Sequence, residues 1–379
     1  MAGGLPFSII SGAFEGYQRS VVPAVLSGVF RVGGAVGIAW AAYRHQGLVA
    51  MALWFGASNF LLRVAYVPAW RKWGTGRILR LSGIAFAQMR EFLKFWGSLL
   101  ANQFCYRLIG ALDLPIVAIF DFRNAGYYAV AMILSQMLIV PCGAAIFSIQ
   151  PVVSSVSARG TPERVGDAFV KLTRWSNAIL ALLTVPLLTG MSIVLRLWVG
   201  SNYAVHSLSI AMVLVTAVFV RFQMLPYSVA ATCAGRQHRT LIGAACEAVA
   251  NVLFSLLLVH RFGAIGVAFG GLIGAFVGIA VYFLVSMRLT SDAICIGRGR
   301  LIREGMLRPL VCAAAGFLLI EGIESQVHSL IYRAVVVALG TALVAAVLFR
   351  WNFNAHERED ISRLVRGRLR MRRVAVESA

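Results

Sequence analysis

Residues 233–274 read CAGRQHRTLIGAACEAVANVLFSLLLVHRFGAIGVAFGGLIG. Arg236, His238 and Arg239 open the stretch, and an apolar run fills 239–260. The short turn HRFGA follows, and then a glycine-led apolar run over 264–287. An α-helix needs about 20 apolar residues to cross the hydrocarbon layer. In lipid, the backbone has to satisfy its own polar groups, which a helix does. The stretch therefore predicts a basic loop, a span, a tight turn and a returning span.

The rest of the chain repeats this grammar. It has 379 residues, is 59% hydrophobic and 13% charged, and has a mean hydropathy of +0.80. Soluble domains are about 45–50% apolar and about 25% charged, so the composition is that of an all-α integral membrane protein. Spans are expected near 21–43, 46–69, 92–119, 125–150, 173–198, 204–233, 239–260, 264–287, 308–323 and 328–350. Residues 5–15 read as the end of another, giving ten to eleven transmembrane helices. The 35 Lys+Arg against 15 Asp+Glu give a net charge of +20. That surplus gathers in alternate connections: 70–94, 158–174, GRQHR (235–239), 288–308 and the tail from Arg350. The intervening turns hold only Arg44, Arg123 and Arg261. This is the positive-inside pattern, not a nucleic-acid footprint, and it predicts a cytoplasmic C-terminus. The six cysteines show no metal or disulfide spacing.

An internal echo extends the reading. LPFSIISGAFEGYQRS (5–20) parallels LPYSVAATCAGRQHRT (225–240) at a spacing of 220 residues, and each copy leads into a span, a turn and a Gly-led span. Same-side copies predict a parallel repeat of the transporter kind. Three further spans and most of a fourth precede the second copy and none precedes the first, so the expectation is an N-terminally truncated chain with an incomplete first lobe.

The residues EFLKFWGSLLANQ (91–103), LDLPIVAIFDFRNAGYYAVAMIL (112–134), PVVSSVSARGTPERV (151–165), LRLWVGSNY (195–203) and the opening stretch resemble the Wzx-type polysaccharide and oligosaccharide flippases. These belong to the multidrug/oligosaccharidyl-lipid/polysaccharide exporter superfamily. The resemblance implies a MATE-like two-lobe helical bundle with an extra C-terminal helix pair. It divides the chain into a first-lobe remnant (1–69), a basic cytoplasmic loop (70–91), a second six-helix lobe (92–289), the added pair (290–351) and a basic tail (352–379). It further implies flipping of undecaprenyl-diphosphate-linked oligosaccharide across the bacterial inner membrane for surface polysaccharide (O-antigen, capsule or exopolysaccharide) by alternating access. The implied partners are that lipid-linked sugar, membrane lipid and other polysaccharide-assembly membrane proteins. No cofactor is expected; H+ and Na+ are the candidate coupling ions.

Polar residues inside spans are costly and mark candidate functional positions. Arg31 lies mid-span and aligns with Asn251 at the 220-residue spacing, as Ser27 does with Glu247. Arg31 is a candidate for meeting phosphate or pairing with Glu247; a purely structural interhelical pair is the plainer alternative. Glu247 and Asn251, four apart, share a helix face. Asn102, Tyr106 and Asp113 form one stripe, with Gln103 and Arg107 on its shoulder. Asp113 is a candidate for neutralising Arg107 or for proton coupling, and Pro115 for a flexing point. Arg221 and Gln223, before Pro226, make the third cluster. The tail SRLVRGRLRMRR (362–373) reads as an interfacial helix on anionic lipid. The rival readings are a MATE-type drug or cation exporter, an inactive truncated remnant, a lipid-linked peptidoglycan-precursor flippase, and a membrane glycan polymerase or ligase. An exporter of cations would favour acidic cavity residues. A polymerase or ligase would want a larger external loop than these turns provide. GRQHR and EAVANVLFSLLLV look more like the polysaccharide branch than the precursor branch.

Overall fold

The computed structural model describes residues 10, 13–14, 17, 21–73, 86–326, 329–353 and 357–358. The tetrapeptide Leu5–Ser8, most of the loop 70–91 and the arginine-rich tail lie outside the described residues. What is described is helical, and ten helical segments are long and apolar enough to cross a membrane. This is a multi-pass membrane protein. Two compact units divide the chain, residues 1–89 and 90–379.

The first unit is a helical hairpin, α1 (Val21–Tyr43) and α2 (Gly47–Trp73). Its turn carries positive φ at His45 and Gly47. Small residues Gly34 and Gly37 on α1 are buried against Ser58 and Trp54 of α2. Close approach of this kind replaces the hydrophobic drive that is missing between helices in lipid. Phe14 packs edge-on to Trp70 at 4.9 Å in a small cluster with Ile10, Tyr66 and Ala69.

The second unit opens within α3 (Phe86–Ala111), which breaks at Leu112 and resumes as α4 (Asp113–Phe120). The break follows from Pro115, which has no N–H for the carbonyl of Ala111. The chain continues through α5 (Phe122–Arg159), α6 (Pro162–Thr189), α7 (Met191–Val199), α8 (Ser201–Phe222) and α9 (Leu225–Cys233). The echo's second copy, Leu225–Ser228, opens α9 with Pro226 in its first turn, where a missing N–H costs nothing. The hairpin of the opening stretch is α10 (Gln237–Phe262) and α11 (Ala264–Val281), the latter prolonged by a π-helical turn, Tyr282–Ser286, to Leu289. Last come α12 (Arg308–Glu324), entered through residues 298–300 and a second π-helical stretch, Leu301–Leu307, and α13 (Leu330–Trp351). Leu134, Leu138, Leu180, Leu195, Val215 and Val267 centre the core where α5, α6, α7, α8 and α11 meet.

Two expected spans are displaced. The one placed at 173–198 is instead Pro162–Thr189, and the short α7 follows the stop at Gly190. The one placed at 308–323 extends back to Arg298. Both extensions are charged, which is why hydropathy excluded them. Part of this charge is paired across the two extensions: Arg300 meets Asp167 at 2.7 Å and Glu304 at 3.2 Å. Asn177 Nδ2 then donates to the Gly305 carbonyl at 3.2 Å.

The α10–α11 turn depends on Gly263, at φ +60°. Beside it, the Ala264 N–H donates to the Asp121 carboxylate at 2.9 Å. Along the hairpin α11 offers glycines to α10, and a Cβ at Gly274 would lie 2.9–3.1 Å from Asn251 atoms, whereas one at Gly271 would meet nothing within 4 Å. Gly274→Leu should therefore destabilise by about 1–3 kcal/mol through overpacking, read as a lowered thermal midpoint in detergent. Gly271→Leu, on the same helix, should leave the midpoint close to wild type.

Candidate functional site

Within the second unit a cavity of ≈ 750 Å³ opens between α3, α5, α8 and α9. The broken helix contributes Asn102, Gln103, Tyr106, Arg107, Gly110 and Ala111; α5 adds Gln136 and Gln150; α8 and α9 add Arg221, Ser228 and Thr232. Apolar residues such as Leu99, Ile139, Val140 and Phe147 fill the remainder, and among the described residues no aspartate or glutamate lines it.

The stripe on α3 and α4 turns into the bundle and its shoulder faces the cavity. Asn102 Nδ2 donates to Thr240 Oγ1 at 3.2 Å, and that hydroxyl donates to the Gln237 carbonyl at 2.8 Å. The hydroxyls of Tyr106 and Tyr282 share a 2.9 Å hydrogen bond. Asp113 is buried and accepts from the Tyr128 hydroxyl at 3.2 Å. Where the helix breaks, the carbonyl of Ile109 accepts from Asn251 Nδ2 at 3.1 Å, and Ser255 Oγ lies 3.0 Å from Asn251 Oδ1. Asn251 thus bridges the interrupted ladder to α10.

Charge is distributed unevenly. Arg221 Nε donates to Glu247 Oε1, and Glu247 is 2% exposed. Glu247 and Asn251 do share a face, the one packed on Gly278 and Gly274 of α11. Arg107 is exposed to the cavity and has no ion pair or hydrogen bond among the described residues. The lining therefore holds one guanidinium already compensated and one that is not.

Of the positions singled out from sequence, Asn102, Tyr106, Arg107 and Arg221 line this cavity. Asp113, Glu247 and Asn251 are buried in the surrounding hydrogen-bond network. Gln223 is buried too, its Nε2 donating to the Phe219 carbonyl at 3.4 Å. Arg31 belongs to the first unit, where its side chain is exposed on α1; the carboxylate suggested as its partner, Glu247, is held by Arg221. Gln136, Gln150, Ser228 and Thr232 were not anticipated. The available signal was spacing: Gln136 and Gln150 are fourteen apart, and Ser228 and Thr232 four apart, so each pair shares a helix face.

No family model matches the chain, and no curated protein matches it. Among solved structures it is similar to "Lipid II flippase MurJ, inward closed conformation", with a TM-score of 0.60 and 13% identity over 91% of this chain and 71% of that one. The fold is MurJ-like. At that identity the likeness concerns the path of the backbone, so the MurJ-like fold frames the cavity and its chemistry rests on the side chains described above.

Removing one member of the Arg221–Glu247 pair leaves a buried charge without its partner, which costs about 3–5 kcal/mol. Glu247→Ala should lower the thermal midpoint accordingly, and Arg221→Met combined with Glu247→Leu should recover much of the loss. Equal midpoints for Glu247→Ala and wild type would mean that the pair is not closed in the folded protein.

Proposed function

We propose that the chain flips an undecaprenyl-diphosphate-linked oligosaccharide across the bacterial inner membrane, with its C-terminus in the cytoplasm, for the assembly of a surface polysaccharide. The observation that carries this reading is the cavity lining: two arginines, four glutamine or asparagine amides on α3 and α5 besides Tyr106, two hydroxyl side chains on α9, and, among the described residues, no carboxylate. A diphosphate and a glycan are both poorly tolerated by hydrocarbon. Guanidinium groups answer the first, since their planar fork binds phosphate oxygens with charge-assisted hydrogen bonds. Amides and hydroxyls answer the second. Arg107 is assigned to the diphosphate, and Asn102, Gln103, Gln136 and Gln150 to sugar hydroxyls.

The likeness to a lipid II flippase supports a lipid-linked cargo and a transporter role without deciding the sugar. Alternating access would expose the cavity to each side in turn, and the helix break at Leu112 is where we place its flexing point. Asp113, buried beside that break, is assigned to coupling by H+ or Na+. A cation exporter of the same superfamily is the rival reading, and a lining with net positive charge disfavours it, because burial amplifies repulsion between like charges.

Arg107→Ala should reduce flipping of lipid-linked sugar at least about tenfold, the scale of one charge-assisted contact of 1.5–3 kcal/mol. Arg107→Lys should retain part of the activity. The measurement is accumulation of unflipped lipid-linked sugar in cells lacking the chromosomal copy. Undiminished flipping in the alanine variant would remove Arg107 from the assignment. Export of cationic dyes by the wild type, with no effect on lipid-linked sugar, would replace this reading with the rival.

A further inference from the structure

Beyond α13, Glu357 lies in a corner of α6 that is remote in sequence from the cavity residues. Three donors converge on one of its oxygens. Arg174 Nη2 lies 2.5 Å from Oε1, Trp175 Nε1 3.4 Å and Lys171 Nζ 3.7 Å. The corner is anchored by Asn352, whose Nδ2 donates to the Arg174 carbonyl at 3.3 Å, and by Phe353, edge-on to Trp175 at 4.8 Å.

A single carboxylate underuses this corner. Arg174 is 9% exposed, and its Nε is buried with no hydrogen-bond partner. Nε and Nη2 lie on the same edge of the guanidinium, the edge that engages two oxygens of a phosphate or carboxylate side by side. Only Nη2 is used by Glu357. A tetrahedral phosphate has oxygens enough for Nε and Nη2 together, with others left for Trp175 Nε1 and the exposed Lys171. The surroundings suit a headgroup: the corner sits at the end of α13, where Phe349 and Trp351 remain exposed. Exposed aromatics at helix ends mark the membrane interface, and basic pockets between helix ends at that level receive anionic lipid headgroups.

We propose that Lys171, Arg174 and Trp175 form a phosphate-binding site, and that Glu357 fills it from within the chain as a tethered stand-in for that anion. The site is separate from the transport cavity and stands whether or not the cavity carries lipid-linked sugar. Its ligand is a phosphate group, presented either by an anionic phospholipid or by solution.

The full chain in phosphatidylcholine nanodiscs tests this, with phosphatidylglycerol added in one arm and inorganic phosphate in another, and with bound species counted by native mass spectrometry. Glu357→Gln should retain about fivefold more phosphatidylglycerol than wild type, one basic group's share at an anionic surface. It should also lose thermal stability in phosphatidylcholine alone and regain it when phosphatidylglycerol is present. Adding Lys171→Ala to Glu357→Gln should reverse part of the gain. A gain with inorganic phosphate but not with the lipid would uphold the site and assign its ligand to solution. Retention of both probes at the wild-type level, with no anion-dependent recovery of stability, would overturn it. If Glu357→Gln does not fold, Glu357→Asp withdraws the carboxylate by one methylene and should give a smaller gain in the same direction, absence of which would overturn the site.

Discussion

On α8 a guanidinium meets a carboxylate of α10 inside a mostly apolar bundle, and the wall of the cavity depends on that meeting. Taking either ion alone out of water costs several kcal/mol, so Arg221 and Glu247 are held there by each other. Their pairing joins α8 to α10 at the wall of the cavity. It also sets the cavity's charge, because Arg221 is neutralised from behind while Arg107 is not. One uncompensated positive group in a mostly apolar hollow is a modest field.

The interrupted helix is the second constraint. A proline within a span leaves backbone polar groups without their regular partners, and lipid cannot supply replacements. Here Asn251 meets the Ile109 carbonyl, and Gly110 and Ala111 lie at the cavity wall. The break therefore falls where protein amides and a polar hollow can satisfy it. Asp113 and Tyr128 sit on the far side of the same interruption. The break therefore sets a buried carboxylate beside the interrupted hydrogen-bond ladder of the helix.

The fold was legible because hydropathy and loop charge report on the solvent, and a bilayer imposes the same length on every span. Legibility failed where charge was cancelled in three dimensions. Residues 162–172 and 298–307 look too polar to belong to spans until Asp167 and Arg300 are seen to meet. The candidate site shows the same division. Arg107 and Arg221 stood out as arginines in apolar runs, but nothing in the sequence said that one would be paired and the other open. Gln136 and Gln150 drew no attention because an uncharged amide raises little alarm in a hydropathy profile.

The two hairpins share an order of elements but not the face that carries the small residues. In α1–α2 the buried small residues, Gly34 and Gly37, lie on the first helix and receive side chains of the second. In α10–α11 the relation is inverted, with Gly274 and Gly278 on the second helix receiving Asn251 and Glu247 of the first. Arg31, at the position of Asn251, is exposed, while Asn251 is buried against α11. Order of span, turn and span is kept because it follows from the membrane; the polar face is not, because it follows from which helix supplies the glycines. The cavity is lined instead by α3, α5, α8 and α9, none of them part of the repeated hairpin. Its chemistry therefore has to be read from those helices themselves, and an arginine in one hairpin carries no information about the role of its counterpart in the other.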